Sequence, residues 1–294
     1  MSWLRNPWGR PRWLALITVG YVLWSVVPVM LAIAFAFNAG RSRTTWQGFS
    51  FRWFTGETGS VLHEQALRDA LGHTLLLAVI CVAIATPLGV ALALGLQRWR
   101  GRGSGTVNSL MLLPLVTPEI VMGVALLLLF LRIFPGIGLG TEAQVIGQVT
   151  FTLSYVVVIV RGRLVSIGPE YEEAAADLGA PPWDVLRRVV LPLLMPAIVA
   201  SLLIVFALSI DDFVVSQYLA SGADTTTVPM RIYAQARAAP TPALNALASL
   251  MLAVSLLALA LAYGTLRLMT RGERRTGAQA ALGQLATLET GGSR

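Results

Sequence analysis

The chain is 294 residues long, 55% hydrophobic and only 13% charged, with a net charge of +7 and a mean hydropathy of +0.70. An average soluble domain is about 25% charged, so this composition excludes a soluble globular protein and points to a polytopic membrane protein. All 22 cationic side chains are Arg, which excludes a Walker A or Schiff-base Lys. With Cys81, His63 and His73 as the only Cys and His residues, a disulfide framework is excluded and a Cys/His metal cage lacks ligands.

About 20 apolar residues cross a bilayer core, and six runs meet that need in chain order. After a short N-terminal tail (1–13) carrying Arg5, Arg10 and Arg12, the first helix is expected over 14–37. Its uncharged length exceeds the 7–15 residues of a signal-peptide core, so it reads as a retained span and not a cleaved leader. The second helix is expected over 74–96 and the third over 107–131, with Glu119 twelve residues from either end. That places the carboxylate about 18 Å along the axis, near the bilayer midplane, where it needs a pore or a partner. Pro114 and Pro118 lie just before it. A shorter fourth helix is expected over 144–160, a fifth over 193–215 with Asp211 and Asp212 near its end, and a sixth over 244–266. The runs are continuously apolar, unlike the alternating strands of a barrel, so the expected class is all-α.

Orientation follows from the arginines. Fifteen of the 22 fall in the N-tail, the 97–106 loop, the 161–192 loop and the C-terminal tail. The positive-inside rule therefore puts both termini in the cytoplasm. Because these cations gather at helix ends, where they meet anionic lipid, the basic balance calls for no nucleic-acid partner. The tail over 271–294, rich in Gly, Ala and Thr, is expected to lack regular structure.

The segment 161–192 carries its own helix signals. Pro169 suits a first helical position, and Glu170, Glu172 and Glu173 suit the positive end of a helix that Gly179 ends. Tyr171, Ala174, Ala175 and Leu178 recur at helical spacing as a face of mostly small side chains, fit for docking against another protein. A second turn follows Pro181-Pro182, with Trp183, Leu186 and Val190 apolar and Arg187-Arg188 cationic, before Leu191-Pro192. An amphipathic linker lying on the lipid surface is the alternative, although its acidic first turn would be repelled by an anionic leaflet.

Glu173-Ala174-Ala175, then Gly179, then Val189-Val190-Leu191-Pro192 resembles the EAA loop of ABC-importer permeases, with Val189 in place of Ile. The resemblance implies a six-helix permease domain (14–270) in a bacterial inner or plasma membrane. It also implies partners: a second homologous permease, a cytoplasmic ATPase dimer holding ATP and Mg, and an extracytoplasmic solute-binding protein. Tyr171, Glu173, Ala174, Ala175, Leu178, Gly179, Arg187, Leu191 and Pro192 are then the ATPase-coupling residues. Glu173 meets a cationic patch, and Gly179 permits the turn and a close approach. The chain itself is expected to be non-catalytic and to hold no cofactor or metal. Energy comes from the partner.

Further stretches resemble the polyamine (putrescine/spermidine) branch of that family. These are Thr45 to Ser50 with Trp53, Pro114 to Glu119, Glu172 to Pro192, Leu208 to Phe213, Thr226 to Met230 and Asn245 to Leu250. The branch has Ser-Gly-Pro-Gly where this chain has Ser221-Gly222-Ala223-Asp224, which loses a turn signal. A flexible polycation needs separated carboxylates and aromatic faces, so Glu119, Asp211, Asp212 and Trp46 are the expected pathway residues. Trp53 reads better as an interfacial anchor. The alternatives are a permease for another organic solute such as an amino-acid derivative or opine, an anion or iron importer, and, more distantly, a secondary transporter. The start of a zinc motif at His63-Glu64 fails, because Leu67 stands where its second histidine belongs.

Overall fold

Continuous apolar runs become long helices here, and their breaks fall where proline or a carboxylate interrupts the run. A computed structural model describes residues 12–42, 44–56, 59–99, 101–238 and 241–291. Arg5, Arg10, Arg100 and Arg294 of the orientation argument lie outside the described residues. The elements in order are α1 (Arg12–Ala36), α2 (Gln65–Arg98), α3 (Ser104–Val116), α4 (Glu119–Arg132), α5 (Thr141–Ile167), α6 (Glu170–Asp177) and α7 (Pro182–Val185). A π-helical turn (Leu186–Val190) leads into α8 (Leu191–Asp211), followed by α9 (Val214–Leu219), α10 (Val228–Ala238) and α11 (Pro242–Gly291). Among the described residues, five helices are long and apolar enough to cross a membrane. The pair α3 and α4 makes a sixth if counted as one broken span.

That break corrects the expected third helix. α3 and α4 meet at a bend of 110°. Thr117 is extended (φ −73°, ψ 129°) and so is Pro118 (φ −56°, ψ 133°). A residue before proline is driven out of the helical region by the ring, and Pro118 has no N–H to continue the ladder. Glu119 is consequently not at a helix midpoint. It opens α4, in the favourable field of a helix N-terminus.

The expected fifth helix is broken too. α8 ends at Asp211, Asp212 is extended, and Val215 belongs to α9. The expected fourth helix is extended at its far end, to Ile167, because its two arginines find partners: Arg161 donates to Asn108 Oδ1 at 2.7 Å and Arg163 to the Leu193 carbonyl at 3.2 Å. α11 runs on to Gly291 through the stretch expected to lack regular structure, where Ala, Leu, Gln and Glu are good helix formers.

The described chain divides into two units. One comprises residues up to Arg68 together with Arg231–Leu252. In it the loop after α1 is wound around Asn38, which is fully buried. Its amide donates to the carbonyls of Ser42 (2.8 Å) and Thr45 (3.0 Å) and accepts from the Gln47 N–H (2.8 Å). Phe37, Phe49, Phe51 and Phe54 cluster beside it, Phe37 and Phe49 stacked at 5.4 Å.

The other unit, Asp69–Met230 with the chain after Ala253, is organised on α5. Toward its C-terminal half, Val156, Val157 and Val160 pack with Cys81, Ala85 and Ala93 of α2 and with Val190, Leu194 and Val205. Toward its N-terminal half, Ala143 and Phe151 pack with Met122, Leu126 and Phe130 of α4 and Val215 and Leu219 of α9. Glycine permits the close approach at Gly147, where a Cβ would lie 2.7 Å from Leu219 and 2.8 Å from Val215. Small residues bring lipid-embedded helices together because dispersion, not water exclusion, is the main attraction there.

Candidate functional site

Three parts of the molecule carry the residues singled out in the sequence. The first is the α6 to α8 segment. α6 begins one residue later than expected, with Pro169 at the cap. The Glu172 and Glu173 N–H groups donate to its carbonyl at 3.0 Å each. Glu170, Glu172 and Glu173 occupy the first turn, against the positive end of the helix dipole.

The helix ends in a Schellman motif. Ala180 N–H donates to the Ala175 carbonyl at 3.1 Å, Gly179 N–H to the Ala176 carbonyl at 2.8 Å, and Gly179 adopts φ +79°. A Cβ at 179 would meet nothing within 4 Å. Backbone conformation alone therefore calls for glycine here within this chain; a close approach does not.

The expected docking face splits. Tyr171, Ala174 and Leu178 are exposed, Leu178 at 88%, whereas Ala175 turns inward against the cluster formed by α2, α5 and α8. Trp183, 66% exposed, adds to the outward apolar surface. Glu173 is exposed, while Glu172 turns toward Arg98, its Oε2 2.5 Å from the guanidinium.

Beyond α7 the Leu191 N–H reaches back five residues to the Leu186 carbonyl, giving the π turn. Pro192 explains it: a proline ring clashes with the carbonyl four residues earlier, here that of Arg188, and a wider turn relieves the clash. Val190 is buried and Leu191 half-buried. Arg188 pairs loosely with Asp184 at 3.7 Å, and Arg187 is exposed.

The second part contains the expected pathway acids, and it separates Asp211 from Asp212. Asp211 is exposed at the end of α8. Asp212 is engaged by the protein itself. Its Oδ1 accepts from the Val215 N–H (3.2 Å), and its Oδ2 accepts from the Ser216 N–H (2.8 Å), the Ser216 hydroxyl (2.6 Å) and the Gln148 amide (3.1 Å). It thus caps α9 at the break. Glu119 is exposed at the start of α4. The structure gives no direct bond between Glu119 and either aspartate among the described residues.

Behind Asp212 lies a network that the sequence reading missed. Gln148 is 1% exposed. Its Oε1 accepts from Ser209 Oγ (2.5 Å) and Cys81 Sγ (3.2 Å), while its Nε2 donates to Asp212 and to Ser216 Oγ (3.0 Å). One helical turn earlier, Gln144 Oε1 accepts from His73 Nε2 (2.8 Å) and its Nε2 donates to the carbonyls of Ser216 (3.0 Å) and Thr225 (2.9 Å). Two amides four residues apart on an apolar helix were the available signal. A buried amide in lipid must be hydrogen-bonded, and both of these are.

The third part is the loop after α1. Trp46 is half exposed, its ring edge-on to Phe35 at 6.3 Å. Trp53 corrects the expectation of an interfacial anchor. It is 6% exposed, its indole N–H donates to the Asn38 carbonyl at 2.7 Å, and the Arg52 guanidinium lies 5.1 Å from its ring centre. Arg52 in turn donates to the Ala39 carbonyl at 2.7 Å.

The altered Ser221 to Asp224 stretch keeps its turn despite the missing proline. Thr225 Oγ1 accepts from the N–H groups of Ser221 (3.0 Å) and Gly222 (3.1 Å). The following segment is tied to α2, where Thr74 Oγ1 accepts from the Val228 N–H at 2.9 Å.

Residues 85–276, well over half of the chain, match the family described as "Binding-protein-dependent transport system inner membrane component". The chain belongs to that family. Among curated relatives, the putrescine transport system permease protein PotI of Escherichia coli K12 is 34% identical over 254 residues, covering 85% of this chain and 87% of its own. The spermidine/putrescine transport system permease protein PotC of the same organism is 35% identical over 230 residues, covering 78% of this chain and 84% of its own. Among solved structures, a bacterial ABC transporter involved in the import of the acidic polysaccharide alginate superposes with a TM-score of 0.71 at 18% identity. That match covers 90% of this chain and 96% of the other, a likeness of fold. Like its family, this permease is a multi-pass membrane protein.

Proposed function

We propose that this permease carries a polyamine such as putrescine or spermidine inward. It does so paired with a second homologous permease, served by an extracytoplasmic solute-binding protein and driven by a cytoplasmic ATPase dimer that binds ATP and Mg. The observation that carries the substrate is the similarity to PotI and PotC over most of both chains. A chain with no lysine cannot supply a Walker A motif, so the energy source lies on the partner.

Counting α3 and α4 as one span gives six crossings with both termini in the cytoplasm, in line with the arginine distribution. The α6 to α8 segment then faces the ATPase. Its outward residues Tyr171, Glu173, Ala174, Leu178 and Arg187 are the contact surface, while Ala175, Gly179, Leu191 and Pro192 set its shape. Closure of the ATPase moves this segment and converts the permease between outward and inward access. Of the expected pathway residues, Asp211 and Glu119 are the carboxylates left for ammonium groups. Asp212 supports the α8/α9 break and is not a direct ligand.

Reconstitution of the full transporter in proteoliposomes tests this reading. Radiolabelled putrescine or spermidine should enter only with ATP and all partners present. Asp211→Asn and Glu119→Gln should each lower uptake about tenfold, as expected for loss of one charge-assisted contact of about 1.5 kcal/mol. Uptake unaltered by both changes would remove these acids from the pathway. Uptake driven by an ion gradient without the ATPase would overturn the mechanism.

A further inference from the structure

Adjacent positions on a helix point about 100° apart, and α6 uses this to send two neighbouring acids in different directions. Glu173 is exposed, whereas Glu172 is turned in against Arg98, the last residue of α2, at 2.5 Å. The pair borders a cavity of about 450 Å³ lined also by Leu94, Gln97, Leu164 and Gly168. At this edge, then, α6 is linked to α2 across partly open space by a charge contact. From Arg98, α2 runs back without a break in its helix to Cys81, 17 residues away, or about 26 Å at ~1.5 Å per residue. Cys81 donates to Gln148, the amide that holds Asp212 at the α8/α9 break.

We infer that Arg98 and Glu172 are positioning residues for transport: their ion pair anchors α2 to the coupling helix, making α2 the lever that carries movement of α6 to the Gln148–Asp212 network. The inference rests on the ATP-coupled reading above, and it assigns Glu172 a role inside the chain where Glu173 faces the partner. The coupling required of such an anchor is modest. Arg98 is 52% exposed and Glu172 34%, so the pair is screened, and its effect belongs at the low end of the 5–150-fold range usual for coupled sites.

Charge exchange in the reconstituted transporter tests it, with uptake normalised to the amount of chain in the membrane and the ATPase followed by co-purification. Arg98→Glu and Glu172→Arg should each reduce ATP-driven putrescine uptake about fivefold while the ATPase still co-purifies. The double exchange should return uptake to within about twofold of the unaltered protein, and Arg98→Lys, which keeps the charge, should sustain it. A double exchange no better than the single changes overturns the lever, and so does loss of the ATPase from Glu172→Arg whatever residue stands at 98. If the unaltered transporter shows no ATP-dependent uptake, the importer reading falls and the lever with it. Normal uptake by the unaltered protein with unaffected single variants removes the lever alone.

Discussion

The α6 to α8 segment and the Gln148 network are both polar interruptions in an apolar chain, yet they are built in opposite ways. The first is local. Apart from Glu172, which reaches Arg98 of α2, its acids, its glycine and its prolines act within a few residues, and its apolar side chains Tyr171, Leu178 and Trp183 are left outward. The second joins α2, α5, α8 and α9 through residues as far apart as Cys81 and Ser216, and leaves almost nothing exposed. A surface proposed for docking leaves its apolar contacts unmade, while leaving a buried polar group in lipid without a partner costs several kcal/mol. Substitutions in the two regions should therefore differ in kind: unfolding for the network, uncoupling for the loop.

The sharpest test of that contrast is Gln148→Leu, which deprives Ser209, Ser216, Cys81 and the Asp212 carboxylate of one partner each. At about 1–3 kcal/mol for an unsatisfied buried group, the loss should amount to several kcal/mol, seen as a marked fall in thermal stability in detergent and in membrane accumulation. Retained stability would mean that the network is dispensable and the contrast false.

Gly147→Val should come next. The new side chain meets Leu219 and Val215 inside 3 Å, and overpacking of this kind costs about 1–3 kcal/mol. The melting temperature should drop without any selective effect on coupling.

Gly179→Val should have the smallest effect on stability. Its cost comes from φ +79°, about 1–2 kcal/mol for a left-handed residue, and no neighbour obstructs it. Asn, which tolerates that conformation, should restore most of the function. The expected signature is weaker co-purification of the ATPase with unchanged accumulation in the membrane. An equal loss with Asn would mean that the side chain itself is refused by the partner.

The backbone of the α6 to α8 segment was legible in the sequence because its determinants are sequential. Pro169, Gly179 and Pro192 each act on the backbone within one turn, so their spacing is the structure. Membrane spans were legible for a similar reason, since about 20 apolar residues suffice whatever surrounds them. The breaks at Thr117-Pro118 and at Asp212 were less so. Proline within a lipid-embedded helix is often tolerated because neighbours satisfy the freed groups, and Pro87, Pro114 and Pro196 all lie within helices here. Pro118 breaks its helix where those three do not, and sequence spacing does not distinguish them.

What the sequence determined by itself was the all-helical membrane class, the candidate docking motif and the absence of a nucleotide-binding lysine, all properties of composition or of residues a few positions apart. Only the tertiary structure decided the roles of the acids. Asp211 and Asp212 are neighbours of identical chemistry, and one became a cap held by four hydrogen bonds while the other stayed exposed. Glu172 and Glu173 were divided in the same manner by the position of Arg98. A carboxylate takes its role from the donors around it, and in this fold donors such as Gln148 and Arg98 arrive from helices more than sixty residues away in the chain.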